Sequence, residues 1–185
     1  MATFTQTISN AANSVRWFRN GTYFGNSEIW SGRYDNTTYQ TSDSALLFTN
    51  VTVPKGATII SAVFSLNVKT FTGTPILQLR GEAADSPSAF TTTADGNGRT
   101  RTTASVNPGY TTTGNKDVDV SSIIAEIFAR AGWASGNNLY LFLEDNGSSV
   151  VPSAVITDAV GTYARTLTIE YTIPPSLIRN NIMIF

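Results

Sequence analysis

The chain has 185 residues, 41% of them hydrophobic and 14% charged, with a formal net charge of −1. That length fits one domain and the apolar share can fill a core, while the near-neutral balance argues against nucleic acid, an anionic membrane or a polyanionic ligand as partner. Cysteine and histidine are both absent, which removes disulfides, thiolate chemistry, Ser-His-Asp triads and the usual zinc, copper and non-haem iron sites.

Ser, Thr, Asn and Gly stand in place of the missing charge, a composition common in β-rich virion, adhesion and secreted proteins. The first residues, MATFTQTISNAANSVRW, show no basic start and no apolar run of signal-peptide length. No segment reaches the ~20 apolar residues of a membrane span. Synthesis in a cytoplasm is the expectation, and the Asn-x-Ser/Thr matches at Asn20, Asn36, Asn50 and Asn146 are then incidental.

In chain order, residues 3–8 alternate polar and apolar as a first edge strand. Residues 15–19 carry Trp17 and Phe18 between Arg16 and Arg19, and Asn20-Gly21 turns the chain back through Tyr23 and Phe24. Trp30 follows, bracketed by Gly25-Asn26 and Ser31-Gly32, and the polar run 33–44 reads as a loop with at most a short strand. This aromatic first quarter, 1–44, suits the rim of the same sandwich or a subunit interface.

Residues 45–48 form a short buried strand, and 57–69 the longest strand, with Ala62, Phe64, Leu66 and Val68 facing one way. Residues 76–81 read as the return strand of its hairpin, with Ile76 or Leu77 and Leu79 toward the core. The stretch 82–114 has three turn signals and one or two short strands, including 101–106.

The one helix is expected at about 121–131, because Val120, Ile123, Ile124, Ile127 and Phe128 fall on one apolar stripe. Asp119 or Ser121 can cap its start, Gly132 can supply a left-handed end, and Trp133 can close it. Leu139, Leu141 and Leu143 then alternate with Tyr140, Phe142 and Glu144 as a strand. Pro152 marks the strand 150–156 as an edge or a bulge. Residues 165–173 form the last core strand, with Leu167, Ile169 and Tyr171 inward. Many short strands, one interposed helix and no βαβ rhythm predict an all-β, antiparallel jelly-roll β-sandwich with core 45–173.

Chemistry without His or Cys would have to rest on carboxylates. Glu144 and Glu170 are the pair that could serve a glycosidase, if they face one cleft roughly 5–10 Å apart; otherwise they are outward-facing solubilising charges. Asp117 and Asp119, with Asp85 or Glu82, could offer oxygens to a structural calcium ion; helix capping and a loop ion pair are the other use of these residues. No P-loop, dinucleotide fingerprint or nucleophile motif is present, so neither enzyme activity nor a cofactor is expected.

Five pieces carry a family likeness: FTNVTVPKGATIISAVFSLNV (48–68), LRGEAADSPSAF (79–90), RTRTTASV (99–106), DVSSIIAEIFARAGWASGNNLYLFL (119–143) and RTLTIEYT (165–172). Over roughly 45–172 the chain resembles a jelly-roll, carbohydrate-binding-module-like domain. That domain recurs in bacterial surface proteins and as a free-standing structural protein of tailed bacteriophages. The chain is short, starts at its own Met and lacks a tandem partner, which favours the phage branch.

Past Pro174-Pro175-Ser176 lie Leu177, Ile178, Ile182, Met183, Ile184 and Phe185, six apolar residues in the last nine. Leaving them in water would forgo on the order of 10 kcal/mol. The segment 174–185 therefore folds back as a final strand or, the reading preferred, serves as an arm inserted into a neighbouring subunit or into the shell beneath. What the likeness and the arm imply together is a virion protein assembled in the host cytoplasm. It would decorate or cement a capsid as a homo-oligomer, a trimer by preference, on the major capsid protein or another virion protein. Its contact residues would be Trp17, Phe18, Tyr23, Phe24, Trp30 and the arm. Tail or fibre attachment is an alternative. Another is glycan binding, with Trp30, Tyr34, Tyr39 or Tyr110 stacking on sugar rings.

Overall fold

The computed structural model describes residues 1–21, 24–25, 29–34, 41–149, 153–157 and 165–173, of which 24–25 and 153–157 by their backbone alone. The strands are β1 (Ala2–Thr7), β2 (Ser14–Phe18), β3 (Phe24–Gly25), β4 (Ile29–Arg33), β5 (Thr41–Val51), β6 (Thr58–Thr72) and β7 (Leu77–Glu82). A short helix, α1 (Thr93–Gly98), precedes β8 (Arg101–Val106) and β9 (Gly114–Asp119). Then come α2 (Ser121–Phe128), β10 (Asn137–Asp145), β11 (Ser153–Thr157) and β12 (Thr166–Thr172).

Every strand pairing is antiparallel, and the strands pack as two layers of an all-β sandwich, the class the sequence predicts. One layer runs β1–β12–β6–β9; the other runs β2–β5–β10–β7–β8, with β3 on the outer side of β2. β11 pairs with the far end of β6 and with β4, and β4 pairs with the start of β5, so hydrogen bonding continues around one side of the sandwich. β11 is therefore flanked on both sides rather than an edge, and its pairing with β6 carries an irregularity between Ile156 and Thr157; Pro152 lies outside the described residues.

Period-two alternation builds the core as expected. Ala62, Phe64, Leu66 and Val68 of β6 and Leu167, Ile169 and Tyr171 of β12 meet Leu46 and Phe48 of β5 and Leu139, Leu141 and Leu143 of β10. Phe48 and Phe64 touch edge to face, 6.4 Å apart. Polar residues facing away on the first layer are bonded across strands. Thr7 meets Thr166 at 2.8 Å, Ser65 donates to Asp117 at 2.6 Å, and Asn67 to Asn115 at 2.7 Å.

α2 is shorter than the predicted span, but its stripe is as read: Ile123, Ile124, Ile127 and Phe128 are buried against β6, β7 and β8. The Asp119 carboxylate accepts from the Ser121 amide at 2.8 Å, so it satisfies one free N–H at the helix start. Ser121 does not cap; its hydroxyl accepts from the Ala62 amide at 2.8 Å and ties the helix to β6. α2 lies close because β7 carries Gly81 beneath it, where a Cβ would stand 2.5 Å from Ile127 Cδ1. The helix also closes the open edge of β8, since Glu126 accepts from the amides of Thr103 and Ala104 at 2.8 and 2.7 Å.

Several expectations are corrected. Residues 76–81 are not the hairpin partner of β6: β7 crosses to the other layer, between β10 and β8. Gly132 is not a left-handed cap, being outside the positive-φ set; it is needed for space, because a Cβ there would meet the Asp85 carboxylate. The turn Asp95–Gly98 belongs to α1, which Thr92 and Asp95 start with a reciprocal capping box. The polar loop proposed for 33–44 ends early: β5 begins at Thr41, its Ser42, Asp43 and Ser44 are buried, and the division at 44/45 falls inside this strand.

Candidate functional site

Among the described residues, the densest grouping of charge and aromatic surface is the outer face of the second layer, roofed by the segment between β7 and β8. Side chains pointing away from the sandwich core there include Val15 and Trp17 from β2, Ala45 and Leu47 from β5, and Tyr140 and Phe142 from β10; Phe90 of the roof completes this second apolar cluster. Trp17 stacks on Phe90 at 5.6 Å and meets Phe142 edge-on at 6.2 Å, while its Nε1 donates to Asn97 at 2.9 Å. α1 fits over the indole because residue 96 is glycine, where a Cβ would lie 2.4 Å from Trp17 Cε2.

Ion pairs rim this cluster. Glu144 is held by Arg80 at 2.9 Å and Arg101 at 3.0 Å, and Glu82 by Arg99 at 3.0 Å. The guanidinium groups lie over rings, Arg99 at 3.9 Å from the Phe90 centroid and Arg101 at 3.6 Å from that of Phe142. Asp43, at the buried start of β5, takes Arg19 Nε at 2.5 Å and Nη2 at 2.9 Å, and accepts from the Asp145 amide at 2.9 Å. Arg19 Nη2 also donates to the Asp145 carbonyl at 2.6 Å. The neighbouring serines of β5 and β4 are matched as well: Ser42 donates to the Trp30 carbonyl at 2.6 Å and Ser31 to the Leu143 carbonyl at 2.8 Å. Buried polar groups need such partners, and these are why a polar sequence can lie inside.

Burial is the largest influence on the Asp43 carboxyl. It pushes the pKa from 3.8 up to about 6 against the pull of Arg19, with a smaller upward push from Glu144. The native state then holds this proton more tightly than the unfolded chain does. Asp43 therefore favours folding below its ordinary pKa, and that contribution is lost as pH rises through about 6. From pH 7 to pH 5, the stability of the native protein relative to Asp43→Asn should rise by on the order of 1 kcal/mol. Urea denaturation at each pH reads this, and parallel pH profiles for the two proteins would refute it.

The residues singled out for chemistry do not converge. Glu144 is not an outward-facing solubilising charge but a buried ion-pair centre. Glu170 faces away from the core on the opposite layer, where Ser61 donates to it at 3.0 Å. Two layers of a sandwich, about 10 Å apart, stand between these carboxylates, so they do not share a cleft. Asp85 pairs with Arg130 at 2.7 Å, Asp117 accepts from Ser65, and Asp119 accepts from the first amide of α2, so the calcium candidates serve a loop ion pair, a cross-strand bond and a helix start. No group of three or more acids able to hold a metal occurs among the described residues.

The aromatic candidates separate too. Trp17 and Phe18 are buried within this chain, which removes them from the contact surface predicted for them. Tyr110 is buried in the main core, which removes it from the sugar-stacking set, and burial raises its pKa. Trp30 is half-buried, with the Arg16 guanidinium 4.5 Å from its ring and Tyr34 at 5.3 Å; Tyr34 is exposed. Tyr23, Tyr39 and the arm residues Leu177, Ile178, Ile182, Met183, Ile184 and Phe185 lie outside the described residues, as does the Phe24 side chain. Asp43 and the Arg80–Glu144–Arg101 array were missed; the alternation of β10 puts Glu144 beside Phe142, but only the roof reveals that this face is covered. A scan against protein-family models gives no match for the chain, and a search of curated proteins gives none.

Proposed function

We propose that this chain is a non-enzymatic structural protein of a tailed-bacteriophage virion, a capsid decoration or cement protein that works by subunit-bridging contacts. The observation carrying this reading is the use to which the fold puts its acids: Asp43, Glu82, Asp85, Glu126 and Glu144 are each tied to an arginine or to backbone amides. A chain whose polar groups reinforce one another, whose first-layer outer face is a bonded Thr, Ser and Asn ladder, and whose end is apolar suits a mechanical role. Its partners would be the major capsid protein or another virion protein, its localisation the virion, and its own state a closed oligomer, a trimer by preference. Tail or fibre attachment would use the same surfaces.

A glycan-binding reading has one supporting observation, the exposed Tyr34 beside Trp30. Cosedimentation with virions lacking the protein separates the two. The full chain should pellet with particles and a chain ending at residue 173 should not, whereas glycan-array binding by both, without pelleting of either, would replace the assembly reading.

A further inference from the structure

Resting on that assembly reading, we infer that the carboxyl-terminal segment, Leu177–Phe185, docks on an apolar rim at one end of the first layer of a second copy of this chain. Five large apolar side chains stand exposed among the described residues, and three of them, Met1 (81%), Ile60 (50%) and Ile173 (38%), share this end. The strand register places them together. Ala2 opposes Tyr171, Thr172 opposes Thr58, and Ile60 sits at the irregularity between the pairs Glu170–Ser61 and Tyr171–Ile59. A bulged residue leaves the ladder, and here it points an isoleucine outward.

Two hollows adjoin at that register. One, of about 240 Å³, is lined by Met1, Ala2, Thr172 and Ile173. The other, of about 300 Å³, lies between the start of β6 at Ala57 and Ile59 and the end of α2 at Phe128. Since Thr172 of the first opposes Thr58 of the second, the hollows form one rim of small and apolar side chains along the end of the sheet. This rim, with the exposed Met1, Ile60 and Ile173 beside it, is the inferred docking site.

The occupant follows from where the described chain stops. Ile173 itself lines the rim, and beyond it come Pro174, Pro175, Ser176 and nine residues of which six are large and apolar. Proline has no amide for the ladder, so Pro174-Pro175 cannot prolong the pairing of β12, and the arm is assigned to a second copy. The same rim on another copy is open to it. Passing each arm to the next copy is a head-to-tail contact, which gives a ring where the rotation between copies closes and a filament where it does not.

The chain has no cysteine, so single reporters are unambiguous. Full-length Ile60→Cys and Ile182→Cys chains are refolded together under mild oxidation and run without reductant, beside each variant alone and the double variant. The expected result is a two-chain product in the mixture, joined between positions 60 and 182 and more abundant than either variant's self-product, with covalent multimers from the double variant. An internal disulfide in a single-chain double variant, or no product joining 60 to 182, overturns the inference. Ile60→Glu, at an exposed position, keeps the fold and should weaken self-association about tenfold by sedimentation; unchanged association also overturns it. If cross-linking fails while the full chain still pellets with virions, the arm seats in the shell and the assembly reading stands. If cross-linking succeeds and nothing pellets, the self-contact stands without a virion role.

Discussion

Glu144→Ala is expected to destabilise the protein by about 3–5 kcal/mol, because it leaves two guanidinium groups side by side without their shared carboxylate. Glu144 has side-chain exposure of 4%, and its partners Arg80 and Arg101 have 30% and 10%. Arg80 can turn toward water, but Arg101 cannot do so cheaply. It lies on the Phe142 ring and donates to the carbonyls of Arg99 and Gly96, each at 2.7 Å. Desolvation already holds the Arg101 pKa below its ordinary value, although Glu144 opposes that shift. Removing the carboxylate should therefore loosen the roof over Trp17 as well as cost stability. At this chain length the fall in Tm should be on the order of 10 °C. Replacing Glu144 and Arg101 together by Leu and Met should recover a good part of the loss, since an apolar pair has no unmet charge. Thermal unfolding of the single and double variants tests both statements; a single variant within ~1 kcal/mol of the parent would show that the array is solvated.

Trp133→Ala should be as damaging, at about 3–5 kcal/mol. The indole is buried, stacks on Phe128 at 4.2 Å with the planes 26° apart, and donates to the Val53 carbonyl at 3.1 Å. It bolts the end of α2 to the connection between β5 and β6. Two further links hold the same joint, the Lys55 ammonium on the Ala131 carbonyl and the Gly136 amide on the Val51 carbonyl at 2.9 Å. Trp133→Phe keeps most of the ring contact and loses the hydrogen bond, so it should cost only about 1–2 kcal/mol. Urea midpoints for the two variants decide between packing and hydrogen bonding as the main contribution. Equal losses would mean that the bond to Val53, not the ring, holds the joint.

Both residues illustrate what a linear reading can reach. Trp133 closes the helix as the sequence predicts, since its partner Phe128 lies only five residues before it. The burial of Glu144 is not legible in that way, since it depends on Arg101 and on a roof contributed by a different part of the chain. The same division runs through the fold. The alternation of β6, β10 and β12 and the stripe of α2 are repeats of neighbouring residues, and each was legible. The crossing of β7 to the second layer was not, because Thr-Gly-Thr-Pro is compatible with a hairpin and with a passage between layers.

By itself, then, the sequence determined an all-β sandwich with one stable helix, the inward residues of its long strands, and a chain without histidine or thiol chemistry. Those follow from local period and composition, which need no partner. Tertiary structure alone decided that Ser42, Asp43 and Ser44 lie inside, that Trp17 and Tyr110 are core rather than contact surface, and that the calcium and glycosidase candidates are held apart. For the polar start of β5, burial turns on a partner elsewhere in the chain: Arg19 holds Asp43 and also reaches the Asp145 carbonyl across 126 residues. Burying a charged side chain is costly unless such a partner meets it, and no local pattern records that meeting.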